Sequence, residues 1–331
     1  AARGFLAHSI RYTMRRWRRP LQWLAGTLLS TPLGLSLSQR PGIVVDPPIP
    51  QAADIVLLPG NQRVRLFDFA AGKTRVYAKE GFSNALMSAE IALRTGGDGP
   101  YPPILDHDAS MTWFEEPILD GLCLARCPAS VDPTAEIGSA FEGLDAWTAS
   151  GARVVDAASH MEALAAQIRS GLAVLVERFD HDASDWDTWL PLLLDHATGG
   201  ELSVGPTHGD CQHGNLMLGP DGVVTAIDWE HQNERWVHYD RMVFGLRARF
   251  TTGLPGRLRA YMSGDALQWH PAAASESAWR EVAIARFLLE DALFYVGEAS
   301  AGPYRVVTDG LRNRENDMRA LGPALEALWR G

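Results

Sequence analysis

The sequence predicts an α+β fold with two lobes, in which a small antiparallel sheet precedes a larger, mainly helical region. Residues 55–79 alternate apolar and polar side chains in short runs, which is the pattern of half-buried strands. Residues 130–200 are rich in Ala and Leu at helical spacing, and helical patterns dominate again after residue 239. We therefore expect an N-terminal extension over 1–50, an N-lobe over 51–118 and a C-lobe over 119–331.

The extension stands out by its charge. Its first 45 residues carry seven Arg and no acid, whereas the remainder holds 23 basic and 40 acidic residues. A basic helix interrupted at Pro20 and a proline-rich linker over 41–50 are expected. We expect this helix to pack on the main body. A weak membrane-surface contact through the Arg-rich segment is the alternative.

The predicted elements follow one another in a definite order. The N-lobe is expected to contain three strands, a helix and two more strands, at 55–58, 64–69, 74–79, 84–94, 104–106 and 111–115. The C-lobe is expected to begin with three helices, at 134–148, 156–178 and 184–196. A loop over 207–215 then leads into a hairpin with strands at 216–218 and 223–227. Four further helices are expected at 241–250, 256–263, 278–298 and 313–329.

The loop and hairpin carry the residues best suited to chemistry. Residues 207–215 read T-H-G-D-C-Q-H-G-N, and residues 227–230 read I-D-W-E. Asp210 could orient a hydroxyl nucleophile and accept its proton, while Asn215 and Asp228 offer the oxygen ligands that Mg²⁺ prefers. This spacing suits phosphoryl transfer, which depends mostly on positioning and on charge neutralisation.

The pattern H-G-D-x-x-x-x-N followed by I-D-W-E resembles the aminoglycoside phosphotransferase and choline kinase superfamily. It keeps the spacing of the protein-kinase motifs H-R-D-x-x-x-x-N and D-F-G, with Gly209 in place of the Arg. The resemblance covers roughly residues 54–260 and implies a two-lobed, protein-kinase-like fold. It also implies that His208 and Asp240 support the catalytic loop.

The same resemblance implies a set of nucleotide-binding residues in the N-lobe. Lys79 would hold the α- and β-phosphates and Glu90 would fix its head group. Lys79 is one of only two Lys beside 28 Arg, which suggests a need for a compact ammonium. The first hairpin would meet the phosphates and the fifth strand would form the adenine-binding hinge, with the residues Gly60, Asn61, Phe114, Glu115 and Glu116.

Composition excludes several other functions. A net charge of −10 argues against nucleic-acid binding. Three Cys form no disulfide framework, so a reducing cytoplasm is expected. His208, Cys211 and His213 are close in sequence, but no second ligand pair stands at zinc-finger spacing. No run of 18 apolar residues is present.

We therefore expect a kinase that uses ATP, or GTP, with Mg²⁺ to phosphorylate a hydroxyl of a small metabolite such as an amino alcohol, sugar or aminoglycoside. Two alternatives remain open: a nucleotide-binding pseudokinase that serves as a scaffold, and a kinase of a sugar or lipid-linked acceptor at the membrane surface. Protein-kinase activity ranks lower because H-R-D, D-F-G and A-P-E are missing. The acceptor, the nucleotide preference and the oligomeric state cannot be read from the sequence.

Overall fold

The computed structural model describes residues 54–60, 62–265, 267–302 and 307–330. The N-terminal extension and Asn61 lie outside these described residues. The described residues divide into two compact units, the first containing 54–60, 62–80, 91–95 and 102–120. The second contains 81–90, 96–101 and the residues from 121 onward. The predicted α+β class, with the sheet first and the helices after it, is confirmed.

The first unit is built on a five-stranded antiparallel sheet. Its strands are β1 (Ile55–Pro59), β2 (Arg63–Asp68), β3 (Lys73–Ala78), β4 (Asp106–His107) and β5 (Trp113–Pro117). They are ordered β1-β2-β3-β5-β4, so β5 is paired on both sides. Helix α1 (Ala85–Thr95) follows β3 in the chain, and its residues up to Glu90 belong to the second unit. Val76 and Phe114 are buried in the sheet.

The fifth strand begins two residues later than the sequence predicts. The cause is Asp108, whose Oδ1 accepts hydrogen bonds from the backbone N–H groups of Thr112 and Trp113. Its Oδ2 accepts from the hydroxyls of Ser110 and Thr112. A carboxylate that satisfies so many local donors stabilises a turn in competition with a strand.

The second unit is mainly helical. Its helices are α2 (Thr134–Ser150), α3 (Ala157–Phe179), α4 (Trp186–Ala197), α5 (Tyr239–Gly245), α6 (Leu254–Met262), α7 (Ser277–Ala301) and α8 (Asp309–Arg330). Its strands are β6 (Leu122–Cys123), β7 (Arg153–Asp156), β8 (Glu201–Thr207), β9 (Leu216–Leu218), β10 (Val224–Ala226) and β11 (Asn233–Trp236). They form two three-stranded sheets, β10-β9-β6 and β11-β8-β7. A continuous apolar core fixes α3, α4, α7 and α8 against one another.

Two predictions about this unit need correction. Strands β8 and β11, which pair antiparallel on either side of the catalytic loop, are missing from the sequence-based prediction. Helix α5 ends at Gly245, not at residue 250, because Arg247 adopts a left-handed conformation with φ 47°. Arg257 of α6 donates to the carbonyl oxygens of Leu246 and Arg247 and so stabilises the resulting turn, residues 246–250.

Among the described helices, none combines the length and the apolar character that crossing a membrane requires.

Candidate active site

The catalytic loop, residues 208–215, connects β8 to β9 and has a tightly constrained start. Gly209 has φ +83°, and a Cβ there would lie 2.1 Å from the carbonyl oxygen of His231. Both the backbone conformation and the lack of space therefore require glycine. The glycine of the H-G-D motif thus allows the loop to lie directly against residue 231, just before β11.

His208 is buried and makes two hydrogen bonds to the backbone. Its Nε2 lies 2.8 Å from the carbonyl oxygen of Ile227, and its Nδ1 lies 3.2 Å from the N–H of Asp210. The neutral ring protonated at Nε2 makes both bonds at once, donating to Ile227 and accepting from Asp210. Both nitrogens are thus engaged, which leaves neither for a zinc ion, and His208 links the catalytic loop to the β9–β10 hairpin.

Asp240, at the start of α5, accepts two backbone hydrogen bonds from the beginning of the catalytic loop. Its Oδ2 accepts from the N–H of His208 at 2.7 Å, and its Oδ1 accepts from the N–H of Gly209 at 2.9 Å. Burial raises the pKa of Asp240, an effect that these two backbone donors oppose. These contacts support the structural role expected for Asp240.

The Asp210 side chain is almost fully enclosed, with 12% of its surface exposed. Its Oδ2 accepts from Gln212 Nε2 at 2.9 Å and from Asn215 Nδ2 at 2.8 Å. Its Oδ1 pairs with Arg249 Nε at 2.7 Å. The sequence assigned no role to Gln212 and did not single out Arg249, which lies 39 residues downstream among many other arginines.

Of the two expected metal ligands, Asn215 contacts the Asp210 carboxylate directly, and Asp228 follows a residue that is bonded to Asn215. Asn215 uses its Nδ2 for both of its side-chain hydrogen bonds, to Oδ2 and to the carbonyl oxygen of Asp210. Its Oδ1 is therefore the atom left for a cation. The N–H of Ile227 donates to the Asn215 carbonyl oxygen at 2.9 Å, so Asp228 follows a residue bonded to the loop. An amide oxygen and a carboxylate fit Mg²⁺, which takes few protein oxygens besides phosphates and water.

Asp228 adopts a left-handed backbone conformation, with φ 67° and ψ 58°. This region is unfavourable for most residues but tolerated by Asp and Asn. The next residue, Trp229, is fully buried, and its Nε1 donates to the carbonyl oxygen of Ala226 at 2.9 Å. The His208 and Trp229 rings lie 4.6 Å apart. The Trp of the I-D-W-E motif therefore anchors the turn that carries Asp228.

A further carboxyl group, Glu298 of α7, lies near Asp210. Burial and the negative charge of Asp210 raise the pKa of Glu298 to about 7, while Arg249 opposes the shift. His231 Nε2 lies 3.5 Å from Glu298 Oε1, and burial lowers the pKa of His231 to about 4. At neutral pH His231 is therefore uncharged and does not neutralise Glu298.

The first unit contains the residues expected to bind nucleotide phosphates. Lys79 directly follows β3, and its Nζ donates to the carbonyl oxygen of Gly60 at 2.5 Å. Gly60 also donates its N–H to the carbonyl oxygen of Arg63, closing the β1–β2 turn. The structure thus brings Lys79 and Gly60 together. Glu90 lies on α1 with 1% of its surface exposed, and its expected pairing with Lys79 stays a prediction.

The residues expected to form the hinge lie in the sheet. Glu115 is paired with Lys73 and Arg75 of β3, and its carbonyl oxygen accepts from the N–H of Leu105. Glu116 pairs with Arg94 at 2.6 Å. Phe114 is buried, with 1% of its surface exposed. Their contact with adenine remains a prediction, and these three side chains already have partners or are buried within the first unit.

A family model described as the phosphotransferase enzyme family matches residues 117–282, which is half of the chain and includes Asp210, Asn215 and Asp228. No curated protein sequence matches the chain.

Several solved structures are similar in fold. A choline/ethanolamine kinase family protein from Mesorhizobium loti aligns with TM-score 0.53 and 14% identity, over 93% of this chain and 98% of its own. The choline kinase LicA from Streptococcus pneumoniae aligns with TM-score 0.53 and 14% identity, over 81% and 93%. A thermostable mutant of aminoglycoside phosphotransferase APH(4)-Ia, in a ternary complex with ADP and hygromycin B, aligns with TM-score 0.53 and 13% identity, over 81% of this chain and 94% of its own. At these identities the likeness concerns the fold, and it confirms the fold expected from the resemblance.

Proposed function

Because the chain belongs to the phosphotransferase enzyme family, we propose that it transfers the γ-phosphoryl group of Mg·ATP to a hydroxyl group of a small molecule. The observation that carries the proposal is the contact between Asn215 Nδ2 and Asp210 Oδ2 at 2.8 Å. This one hydrogen bond places a proton acceptor beside an amide whose oxygen is left for a cation.

The proposed role of Asp210 is to orient the acceptor hydroxyl and take its proton. A carboxylate has about four acceptor positions, and three donors occupy Asp210: Gln212, Asn215 and Arg249. The remaining position accepts the hydroxyl hydrogen. As the hydroxyl oxygen bonds to the γ-phosphorus, the bond to the bridging oxygen of ADP breaks and the proton passes to Asp210.

The proposed metal ligands are Asn215 Oδ1 and the Asp228 carboxylate. When bound, Mg²⁺ would offset the negative charge of the nucleotide phosphates. The contribution of the chain is to fix these two oxygens on segments joined by the Ile227–Asn215 hydrogen bond. GTP would be accommodated by the same ligands.

The proposed phosphate-binding residues in the first unit are Lys79, Gly60 and Asn61. The bond from Lys79 Nζ to the Gly60 carbonyl oxygen supports the joint action of Lys79 and Gly60, while Asn61 lies outside the described residues. Glu90, Phe114, Glu115 and Glu116 complete the proposed nucleotide site.

The proposed acceptor class is a small amino alcohol, sugar or aminoglycoside. Support comes from the acidic character of the chain, which carries a net charge of −10, and from Glu298 near Asp210. Carboxylates favour cationic acceptors. Choline, ethanolamine and hygromycin B are therefore suitable first probes, since similar folds are described as acting on or binding these compounds.

The test uses the full chain with Mg·ATP or Mg·GTP and each probe, and mass spectrometry to detect the gain of one phosphoryl group. Asp228→Asn should raise the Mg²⁺ concentration needed for half-maximal rate by roughly tenfold, because one charged ligand is lost. Asn tolerates the left-handed backbone, so the fold should survive. Asp221→Asn is the matched control, since Asp221 lies on the exposed turn of the same hairpin.

Nucleotide binding without transfer to any probe or to water would instead support the pseudokinase alternative. If neither Mg·ATP nor Mg·GTP shifts the thermal midpoint at millimolar concentration, the proposed function is wrong.

A further inference from the structure

A row of alternating charges runs from Asp210 into the helical core. Arg249 pairs with Asp210 through Nε at 2.7 Å and with Asp291 of α7 through Nη1 at 2.5 Å. Asp291 Oδ2 lies 2.6 Å from Arg314 Nη2 of α8. The exposed fractions of the Arg249, Asp291 and Arg314 side chains are 6%, 0% and 3%. The proposed phosphoryl transfer uses Arg249 as one of three donors to Asp210 and assigns no role to Asp291 or Arg314.

Arg249 is held in one orientation by contacts on every side of its guanidinium. Its Nη2 donates to Tyr239 Oη at 3.0 Å and to the Gly209 carbonyl oxygen at 3.3 Å. Its Cζ lies 3.9 Å from the centroid of the Phe294 ring. A planar guanidinium fixed in this way presents Nε to Asp210 in a defined direction.

Arg249 has a direct effect on Asp210. It occupies Oδ1, while Gln212 and Asn215 occupy part of Oδ2. The carboxylate can therefore neither rotate nor turn away from the loop without breaking an ion pair. Misplacement of a reacting group by about 1 Å can reduce a rate by ~10²-fold.

Arg249 is fixed in place by Arg314 of α8. Arg314 pairs with Asp291 and also donates to the carbonyl oxygen of Ala248, which precedes Arg249. Asp291 and Arg314 lie beyond residues 117–282, the segment that matches the phosphotransferase family. Helices α7 and α8 thus fix both the backbone and the charge of the turn that bears Arg249.

We infer that Arg249 is a positioning residue, which holds Asp210 in its reactive orientation and is itself fixed by Asp291 and Arg314. The inference rests on the proposed function. A purely structural role for Arg249 would stabilise the fold without affecting the rate through Asp210, and the two roles differ in a measurable way.

The test is a double-mutant cycle between positions 249 and 210, with phosphate release from Mg·ATP to water as the assay and any phosphorylated probe as a second acceptor. Arg249→Met leaves Asp291 paired with Arg314, so no buried carboxylate loses its only partner. In the wild-type background we expect kcat to fall by about 30- to 100-fold with little change in the KM for ATP. In the Asp210→Asn background the same change should lower kcat less than about twofold, because the carboxylate that Arg249 orients is already absent.

Arg286→Met is the matched control. Arg286 is a buried arginine of α7 that donates only to carbonyl oxygens, those of Ala197 and Gly199. This substitution should lower the thermal midpoint and leave kcat unchanged. If Arg249→Met fails to fold, Arg249→Lys replaces it, because one ammonium cannot reproduce the whole set of guanidinium contacts. For Arg249→Lys we expect kcat to fall at least about threefold in the wild-type background and to stay unchanged in the Asp210→Asn background.

Equal losses of kcat in both backgrounds, or a folded Arg249→Met protein with wild-type kcat, would overturn the inference while leaving the proposed function intact. A wild-type rate for Asp210→Asn, or no transfer by the wild-type protein to water or any probe, would overturn the proposed function and the inference with it.

Discussion

The amide nitrogen of Asn215 lies within hydrogen-bonding distance of both the carbonyl oxygen and the Oδ2 of Asp210, at 3.0 Å and 2.8 Å. One side chain therefore both closes the catalytic loop and orients its carboxylate. The N–H of Asn215 also donates to the carbonyl oxygen of Gln212 and closes a turn over residues 212–215, while the bond from Nδ2 to the Asp210 carbonyl oxygen spans the five-residue step.

Asn215→Ala should impair both functions of this side chain. With the amide gone, Asp210 loses two hydrogen bonds and the proposed Mg²⁺ site loses an oxygen. We expect kcat at saturating Mg²⁺ to fall by about tenfold or more and the Mg²⁺ requirement to rise, because positioning and metal binding are affected together. Steady-state transfer at several Mg²⁺ concentrations measures both. An unchanged kcat at saturating Mg²⁺ would show that Asn215 binds the metal but does not position Asp210.

Gly209→Ala should be strongly destabilising. The added Cβ would meet the His231 carbonyl oxygen at 2.1 Å in a left-handed backbone. Gly222→Ala is the matched control, with φ +80° and no atom within 4 Å of the added Cβ. We expect a loss in the free energy of unfolding of about 3 kcal/mol or more for Gly209→Ala and about 1 kcal/mol for Gly222→Ala. Urea unfolding of both variants measures the difference, and equal losses would show that the loop relaxes around the new methyl group.

Glu298→Gln should change how stability depends on pH. The ordinary pKa of Glu is 4.5, and that of Glu298 is raised to about 7. Between these values the folded protein keeps a proton that the unfolded chain has lost, so Glu298 lowers stability as pH rises through this window. His231 has a pKa of about 4 and stays neutral there. The variant should therefore gain about 1–3 kcal/mol relative to wild type between pH 5 and pH 8.

Urea unfolding of wild type and Glu298→Gln at pH 5, 6, 7 and 8 measures this gain, with buffer and salt concentration held constant. Parallel stability curves for the two proteins across that range would be incompatible with a raised pKa at Glu298.

The sequence reveals the catalytic loop well because Asp210, Asn215 and Asp228 lie close together in the chain and their roles depend on local spacing. It does not reveal Arg249, Asp291 or Glu298, because their proximity to Asp210 arises only when α7 and the turn after α5 pack together. No local pattern distinguishes Arg249 from the other 27 Arg.

Strand β8 is missed for a different reason. It contains Gly205 and Pro206, which usually interrupt strands. In the structure a Cβ on Gly205 would lie 2.7 Å from the carbonyl oxygen of Thr148, so the glycine permits close approach of α2. The same tertiary contact that explains the glycine thus conceals the strand from sequence-based prediction.

The role of Asp210 as the group that activates the acceptor is tested most directly by single-turnover transfer from ATP labelled at the γ-phosphate. Enzyme is in excess, and wild type is compared with Asp210→Asn. We expect a loss of roughly 10²- to 10⁴-fold in the rate of label transfer, because a general base is removed. Affinity for Mg·ATP should remain within about threefold, since the proposed nucleotide and metal ligands are unchanged. Label transfer by Asp210→Asn at the wild-type rate would contradict the assignment of Asp210 as the group that activates the acceptor.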